Sequence, residues 1–154
     1  MNENSSLHKA LVDAVLATME NIAFEEPEVL PDPITIAGEI LTFTLQVVSP
    51  YLLLTKIDIP QKLAAKLTQT IYRDDEKEIS GVLIDDTVGE ILNTITGNMM
   101  GNLTLGERIF EMGLPQKITE EKRITGENIR NFFFRIEDIP FCVSIDGDVF
   151  IEKE

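Results

Sequence analysis

The stretch that decides the fold covers residues 85–101 and reads DDTVGEILNTITGNMMG. Its apolar residues recur at the spacing of an amphipathic helix, in which each residue turns by about 100°. One stripe faces the core, and it holds Val88, Ile91, Leu92, Ile95 and Met99. The opposite side is polar and faces water, and it holds Asp86, Glu90, Asn93 and Gly97. The stretch therefore predicts a long helix whose apolar side packs on the rest of the domain.

Glu90 and Asn93 are neighbours on the polar side of this helix. Their spacing in the sequence places the two Cβ atoms about 5–6 Å apart. Asparagine is a weak helix former, so Asn93 in mid-helix costs about a few tenths of a kcal/mol relative to alanine. A carboxylate beside a carboxamide on a rigid helix can be a reaction face. The same residues can equally be an ordinary solvated surface, and on the residues alone both interpretations stay open.

Three glycines interrupt the same stretch, at positions 89, 97 and 101. Each costs a helix roughly 1 kcal/mol relative to alanine if it is internal. Gly89 and Gly97 therefore indicate close packing or the close approach of another backbone. Gly101 has a simpler explanation, because glycine commonly marks the end of a helix.

Length and composition indicate one globular domain. The chain has 154 residues, 44% of them hydrophobic and 26% charged, so we expect a single domain over residues 1–154 with residues 1–5 as a flexible tail. The net charge of −14 argues against nucleic acid and anionic membranes as partners. One cysteine excludes an internal disulfide and is typical of the cytoplasm, where we expect the protein. Neither a signal peptide nor a membrane-spanning segment is predicted.

Two more helices are predicted from start signals and periodicity. The first begins at an N-cap, Ser5 or Ser6, and ends near Phe24. The second covers residues 61–72, with Pro60 at its first helical position. One face of the second helix is apolar and holds Leu63, Ala64, Leu67 and Ile71.

Strands are predicted before and after these helices. Residues 25–33 hold three prolines and four acidic residues and predict a connecting loop. Residues 34–59 alternate at period two and predict a hairpin-like pair of strands that turns near Gly38 and Glu39, followed by an extended apolar run. Residues 73–78 predict a solvated charged loop.

The last third of the chain predicts more β-structure. Residues 103–115 are rich in turns, with a short helical turn at 108–112. Three strands follow, at 131–136, 140–145 and 148–152, and the Asp-Gly dipeptide at 146–147 predicts a tight turn between the last two. This order of elements predicts an α+β fold, a mostly antiparallel β-sheet with two long helices packed on it.

Several kinds of active site are not supported by the sequence. It contains no phosphate-binding loop, no C-x-x-C, no H-E-x-x-H and no EF-hand loop. His8 is the only histidine, and we expect it on the surface rather than in a metal site or a catalytic triad. Cys142 lies in a predicted strand and is expected to be a small buried hydrophobic residue. No metal site of its own is therefore predicted.

Residues 85–98, DDTVGEILNTITGN, resemble the signature of the CheC/CheX-type chemotaxis phosphatases. The shared pattern is an acidic lead-in, then E-x-x-N, then a Gly-Asn pair, and here these are Glu90, Asn93, Gly97 and Asn98. The order of elements along most of the chain is similar as well, including a Gly-Leu-Pro segment after the signature helix. One motif in a chain of this length points to the CheX-like branch.

The resemblance implies the CheC/CheX-like fold and a function in two-component signalling. The protein would hydrolyse the aspartyl phosphate of a phosphorylated CheY-type response regulator. Asn93 would orient the attacking water and Glu90 would pair with a lysine of the regulator, with Asp86, Gly97 and Asn98 as partner contacts. Mg²⁺ would belong to the regulator, and no cofactor would belong to this chain. The task suits these residues, because phosphoryl transfer needs mainly positioning and charge stabilisation.

Members of the family with two active faces carry a second E-x-x-N in the first helix. The corresponding residues here are Thr18 and Asn21, so the Glu is replaced. On a helical wheel Asn21 lies toward the apolar stripe, and we interpret it as structural, which leaves one site per chain.

Two alternatives to catalysis stay open. A non-catalytic module of the same fold could bind a receiver domain without changing the lifetime of its phosphate. A dimeric scaffold is the other alternative, in which the edges of the sheet pair across a two-fold axis. The resemblance to CheX predicts a homodimer in either case.

Overall fold

The computed structural model describes residues 3–50, 52–72, 80–104, 109–118 and 129–147. The helices in this part of the chain are α1 (Glu3–Ala23), α2 (Gln61–Tyr72) and α3 (Gly81–Thr104). The strands are β1 (Glu28–Leu30), β2 (Ile40–Ser49), β3 (Leu53–Pro60), β4 (Glu111–Met112), β5 (Gln116–Lys117), β6 (Ile129–Ile136) and β7 (Ile139–Gly147).

The seven strands form one antiparallel sheet. Their order is β1-β6-β7-β3-β2, and β4 and β5 both pair with the outer edge of β2. The longest pairings are β2 with β3 and β6 with β7, which follow one another along the chain as hairpins. An antiparallel sheet with two long helices confirms the predicted α+β class.

One face of the sheet carries the core. Phe43, Ile57 and Val143 lie side by side on β2, β3 and β7 and are buried. Their neighbours along each strand point to the other face, where polar residues such as Asp58 predominate. The buried sides of α1, α2 and α3 join the first face in a single hydrophobic cluster. The burial of apolar side chains mainly on this face accounts for the period-two alternation in the sequence of β2 and β3.

Helix α3 confirms the central prediction and is longer at both ends than residues 85–101. The side chains of the predicted apolar stripe are all buried. Ser80 caps the helix, because its Oγ accepts a hydrogen bond from the Leu83 N–H at 3.1 Å. At the other end Gly101 lies inside the helix, which continues to Thr104, so the interpretation of Gly101 as the helix end is wrong.

Helix α1 differs from its prediction at its start and agrees at its end. It begins at Glu3, so Ser5 and Ser6 lie within the helix and neither is its N-cap. It stops at Ala23, where Phe24 takes a left-handed conformation with φ of 59°. The Phe24 N–H donates to the Glu20 carbonyl at 3.2 Å, which is the hydrogen bond of an αL C-cap.

The first predicted hairpin is wrong in its turn. Gly38 has a φ of 91° but precedes β2, and the chain connects β2, which ends at Ser49, to β3, which begins at Leu53. Ile34 and Ile36 therefore belong to the lead-in and to no strand. In the β2–β3 register, Ile40 lies opposite Pro60 and Val47 lies opposite Leu53. This register buries the alternating apolar side chains of both strands. Pro50 cannot donate to a ladder, which favours the connection there.

The loop predicted at residues 25–33 contains a strand. Glu28–Leu30 forms β1 and pairs with β6, where Glu28 lies opposite Arg135. The Arg135 Nη2 and the Glu28 Oε1 form an ion pair at 2.7 Å. No local sequence pattern predicts this strand, because the strand with which it pairs lies more than a hundred residues away in the sequence.

Pro60 and the Asp-Gly dipeptide also take different positions. Pro60 ends β3 opposite Ile40, and α2 begins one residue later. Asp146 and Gly147 pair with Leu54 and Leu53 within β7, so they do not form the predicted turn. A Cβ on Gly147 would stand 2.6 Å from the Leu53 Cβ. The glycine therefore permits a close approach of two strands rather than a tight turn.

Two further predictions concern the segment after α3. Leu103 and Thr104 are helical, and the helical turn predicted at 108–112 is wrong, because Glu111–Met112 forms β4. The second hairpin of the sheet turns at Glu137 and Asp138, where Glu137 has a φ of 58°. The predicted loop at 73–78 and the predicted strand at 148–152 lie outside the described residues.

Candidate active site

The candidate site lies on α3, and the core holds the opposite side of that helix in place. Beneath the site, the Thr96 and Thr55 hydroxyls form a buried hydrogen bond of 2.8 Å between α3 and β3. Thr55 also donates to the Leu45 carbonyl at 3.3 Å. A directional contact of this kind, surrounded by apolar packing, restricts rotation of the helix on the sheet.

The polar side of α3 faces solvent as the sequence predicts. Asp86 and Glu90 are exposed, and Asn93 and Gly97 are partly exposed. Thr94 donates a long hydrogen bond of 3.4 Å to the Glu90 Oε2. Among the described residues, Glu90 forms no ion pair and the Asn93 amide forms no hydrogen bond. Both groups are therefore available to a partner molecule, although their assignment as catalytic residues stays a prediction.

The Gly-Leu-Pro segment at residues 113–115 forms one wall of the site. The Gly113 N–H donates to the Gln46 carbonyl at 2.8 Å, which fixes the segment to β2. A Cβ on Gly89 would stand 3.5 Å from the Pro115 Cβ, so the segment packs against α3 one turn before Asn93. Lys117 adds an ion pair with Asp85 at 3.1 Å. Gly89 is therefore packed against this segment, although a Cβ there would make ordinary van der Waals contacts and the packing does not require glycine.

Gly97 has a different environment. A Cβ at this position would meet no atom within 4 Å, and the same holds for Gly101. The packing of the described residues therefore does not require glycine at either position. The open space at Gly97 is compatible with the predicted approach of a partner backbone.

Helix α1 forms the second wall. Asn98 donates to the Thr18 hydroxyl at 3.1 Å, and Asn102 donates to the Ala10 carbonyl at 3.2 Å. Asn102 follows Asn98 along α3, whereas its partner Ala10 precedes Thr18 along α1, so α1 and α3 are antiparallel. Asn98, predicted as a partner contact, thus also has a structural role between the two helices.

The structure assembles no second Glu-and-Asn pair on α1. Thr18 is fully buried in the helix interface. Asn21 is exposed, so its predicted orientation toward the apolar stripe is wrong. Thr18 and Asn21 therefore do not present a polar pair to solvent, in contrast to Glu90 and Asn93.

Some contributors to the site have no clear signal in the sequence. The Thr55–Thr96 pair and the Lys117–Asp85 ion pair join elements far apart in the chain. Thr96 offers one hint, since a hydroxyl in the middle of an apolar run needs a buried partner. Ser80 was a readable signal, because serine before a helical run is a preferred N-cap.

The two other candidate reactive side chains lie away from the site. Cys142 is buried, with its Sγ 3.5 Å from the Ser144 Oγ, and burial raises the pKa of its thiol. The thiol is therefore neutral and a poor nucleophile, as predicted. His8 is exposed, as predicted, and the centroids of the His8 and Phe132 rings lie 5.3 Å apart in an edge-on arrangement.

The described part of the chain offers no metal site and no membrane span. No group of three or more His, Cys, Asp and Glu side chains there could hold a metal ion. None of its helices is long and apolar enough to span a membrane.

Solved structures of chemotaxis proteins share this fold. CheX from Vibrio vulnificus matches with a TM-score of 0.75 at 18% identity, over 95% of this chain and 99% of that one. CheX from Desulfovibrio desulfuricans matches with a TM-score of 0.72 at 17% identity, over 92% and 98%. The CheX of a CheX–CheY–BeF₃–Mg²⁺ complex from Borrelia burgdorferi matches with a TM-score of 0.71 at 18% identity, over 90% and 95%.

Identities this low show the fold alone, and no curated protein matches the sequence significantly. The family is shown by a separate comparison of the sequence with protein families. The family described as chemotaxis phosphatase CheX matches residues 44–135, more than half of the chain and a range that includes all of α3. This match confirms the resemblance carried by Glu90, Asn93 and the Gly-Asn pair, and the chain belongs to the chemotaxis phosphatase CheX family.

Proposed function

We propose that this protein is a phosphatase that accelerates hydrolysis of the aspartyl phosphate on a CheY-type response regulator. The observation that supports this most directly is the pair Glu90 and Asn93, which faces solvent on a helix whose other side is fixed in the core. Membership of the CheX family supports the class of reaction. The Borrelia burgdorferi CheX was solved together with CheY, BeF₃ and Mg²⁺, which supports a regulator as the partner.

The proposed reaction needs little covalent work from this chain. A water oxygen forms a bond to phosphorus while the bond between phosphorus and the aspartyl oxygen breaks. The carboxylate leaves with the electron pair, and phosphate and a proton are released. An acyl phosphate is already reactive, so catalysis consists mainly of holding the water in line and stabilising charge.

Asn93 is the residue proposed to position the water. Its amide offers both a donor and an acceptor and does not titrate near neutral pH. Glu90, one turn away on the same side, is proposed to pair with a lysine of the regulator and so to fix the register of the complex. The Mg²⁺ needed at the phosphate is proposed to stay on the regulator.

Three further residues are proposed to contact the partner. Asp86 and Gly97 lie on the same side of α3 as the pair, at either end of it. Asn98 is partly exposed beside Gly97 and also bonds Thr18, so we propose that it contacts the partner while holding the two helices together.

The test measures phosphate release from a phosphorylated regulator with catalytic amounts of the protein. Asn93→Ala should lower the rate by about 10²–10³-fold, as expected for the loss of one preorganised hydrogen-bonding group. Asn21→Ala is the matched control, an exposed asparagine on the neighbouring helix, and should leave the rate unchanged. A rate in Asn93→Ala equal to that of the native protein would refute the assignment of Asn93.

The same assay separates catalysis from binding alone. A non-catalytic module would bind the phosphorylated regulator without changing the decay of its phosphate. Glu90→Gln keeps the size of the side chain and removes its charge, so we expect a higher KM with a smaller effect on kcat. Equal KM values for Glu90→Gln and the native protein would contradict the role of Glu90 as an anchor.

We also propose that the protein forms a homodimer and acts in the cytoplasm. The strands at both edges of the sheet are short, three residues in β1 and two each in β4 and β5. Short edge strands by themselves oppose pairing between copies, so the proposal of a homodimer rests on the resemblance to CheX and not on these edges. Light scattering after size exclusion should give twice the 17.3 kDa mass of one chain, and a monomer at micromolar concentration would contradict the proposal.

A further inference from the structure

Three exposed apolar side chains lie on α3 or on the segments that pack against it near the pair Glu90 and Asn93. They come from three different segments of the chain and are Phe24 (71% exposed), Val82 (72%) and Leu114 (80%). A single exposed apolar side chain is common on protein surfaces and does not indicate a binding site. Here, however, the three lie on elements that meet at one helix, namely α3 itself, the Gly-Leu-Pro segment packed against it and the end of α1.

Val82 marks the N-terminal side. It lies on α3, four residues before Asp86 and eight before Glu90. At about 100° per residue, Val82, Asp86, Glu90, Asn93 and Gly97 fall within one narrow strip of the helix surface. The solvent-facing strip thus begins with an apolar residue about two turns before Glu90.

Leu114 marks the side formed by the Gly-Leu-Pro segment. Its neighbour Pro115 contacts the surface of α3 at Gly89. Gly89 precedes Asn93 by one helical turn and precedes Glu90 directly. The hydrogen bond from Gly113 to Gln46 fixes the other flank of Leu114. Leu114 is therefore held in place beside the pair, although its own side chain is left in solvent.

Phe24 marks the side formed by α1. The antiparallel helices meet where Asn98 bonds Thr18. Phe24 lies six residues beyond Thr18, which is about 9 Å along the axis. The same distance back along α3 from Asn98 leads to Leu92, which lies between Glu90 and Asn93 in the sequence.

The conformation of Phe24 is unfavourable for the isolated chain. A φ of 59° at a helix end favours glycine, and phenylalanine gains little from an exposed position. Neither the backbone nor the packing of the described residues explains a phenylalanine here. A contact with a partner molecule would account for it.

We propose that Phe24, Val82 and Leu114 form an apolar docking rim for the phosphorylated receiver domain of the response regulator. This inference rests on the proposed function and deepens it. The rim is continuous with the proposed reaction face, which must lie against the phosphate of the regulator. An apolar rim around a polar centre excludes water from that centre when the partner binds.

Charge supports a rim of this kind. The chain has a net charge of −14, and Asp86 and Glu90 make the reaction face itself acidic. A receiver domain uses acidic residues to hold Mg²⁺, so long-range electrostatics does little to bring the two proteins together. Affinity must then come from short-range contacts, and the apolar rim supplies them with the ion pair of Glu90.

The experiment measures KM and kcat for release of phosphate from a CheY-type receiver domain phosphorylated with acetyl phosphate. Phe24→Gly, Val82→Ser and Leu114→Ser should each raise KM by roughly tenfold and leave kcat within about twofold. Val48→Ser is the matched control, because Val48 is also exposed (52%) but lies on β2, on the face of the sheet away from the helices. Its KM should match that of the native protein.

Phe24→Gly also separates docking from folding. Glycine relieves the left-handed conformation, so the Tm should rise by roughly 2–4 °C while binding becomes weaker. A variant with a damaged fold would instead show a lower Tm together with weaker binding. If Phe24→Gly and Leu114→Ser keep the native KM, or if Val48→Ser raises KM as much as they do, the rim is refuted.

Binding to the receiver domain activated with beryllofluoride distinguishes this inference from the proposed function. If the native protein binds without accelerating phosphate release, and the rim variants bind about tenfold more weakly, the phosphatase proposal fails and the rim stands. If Asn93→Ala abolishes release but the rim variants bind as the native protein does, the phosphatase proposal stands and the rim fails.

Discussion

Replacement of Gly97 by alanine should make the protein more stable and less active. Gly97 is internal to α3, and a Cβ there would meet no atom within 4 Å. The added methyl group therefore costs nothing in steric repulsion among the described residues. Alanine is favoured over glycine in a helix by about 0.8–1.0 kcal/mol, so the Tm of a 154-residue chain should rise by roughly 2–4 °C.

The loss of activity follows from the proposed approach of the regulator. If the partner backbone rests against Gly97, the methyl group overpacks that contact at a cost of at least about 1 kcal/mol. This corresponds to roughly a fivefold rise in KM. Gly101→Ala is the matched control, because Gly101 is one turn further along α3 with the same open space around it. It should gain the same stability and keep the native KM.

Thermal unfolding and the phosphate-release assay, run on both variants, check this reasoning. A native KM in Gly97→Ala would show that no partner backbone comes close at this position. A fall in Tm for either variant would show that the space around these glycines is not open in solution. An equal rise in KM for both variants would point to a general effect on α3.

Three other predictions concern the support of the site and the buried thiol. Thr55→Val should cost about 1–3 kcal/mol of unfolding free energy in urea, because it leaves the buried Thr96 hydroxyl without its partner. Thr96→Val should cost less, since the Thr55 hydroxyl keeps the Leu45 carbonyl as its acceptor. The double variant should cost less than the sum of the two single variants. Ser80→Ala removes the cap of α3 and should cost about 1 kcal/mol, and an unchanged urea midpoint would contradict the role of the cap. Burial raises the pKa of the Cys142 thiol, so the folded state keeps this proton longer than the unfolded state does. The stability that this bound proton contributes is fully present below the unfolded thiol pKa of about 8.5 and is lost as pH rises through the folded pKa. In urea titrations at pH 7 and 9.5, the free energy of unfolding of Cys142→Ala should not show this loss.

The helices were the most predictable part of the fold. The stripe of α3 and the apolar face of α2 are local patterns, and the residues assigned to them are buried in the structure, apart from the partly buried Ile71. The polar side of α3 followed from the same periodicity, so Glu90 and Asn93 could be singled out before their surroundings were known. Their assignment to a family needed the additional Gly-Asn pair and the order of elements.

Strand boundaries and turns were less predictable, because their partners are distant in the sequence. The Asp-Gly dipeptide at 146–147 is a strong local turn signal, yet it pairs with β3 and its glycine makes room for Leu53. Gly38 was interpreted as a hairpin turn, although the register of β2 is decided by the burial of its alternating apolar residues Leu41, Phe43, Leu45 and Val47. In each case the ladder of the sheet overrides the local preference.

The sequence by itself determined the amphipathic helix, the polar pair on its outer side and the family to which the chain belongs. The helix and its polar pair follow from the 3.6-residue repeat of a helix, and the family follows from the motif on that helix and the match over residues 44–135. Only the tertiary structure decided which residues surround that pair. The antiparallel packing of α1 on α3 brings the end of α1 to the level of the pair, and a hydrogen bond to the edge of β2 holds the Gly-Leu-Pro segment against α3. Neighbours of this kind depend on contacts between distant segments, and no periodicity within a single segment records them.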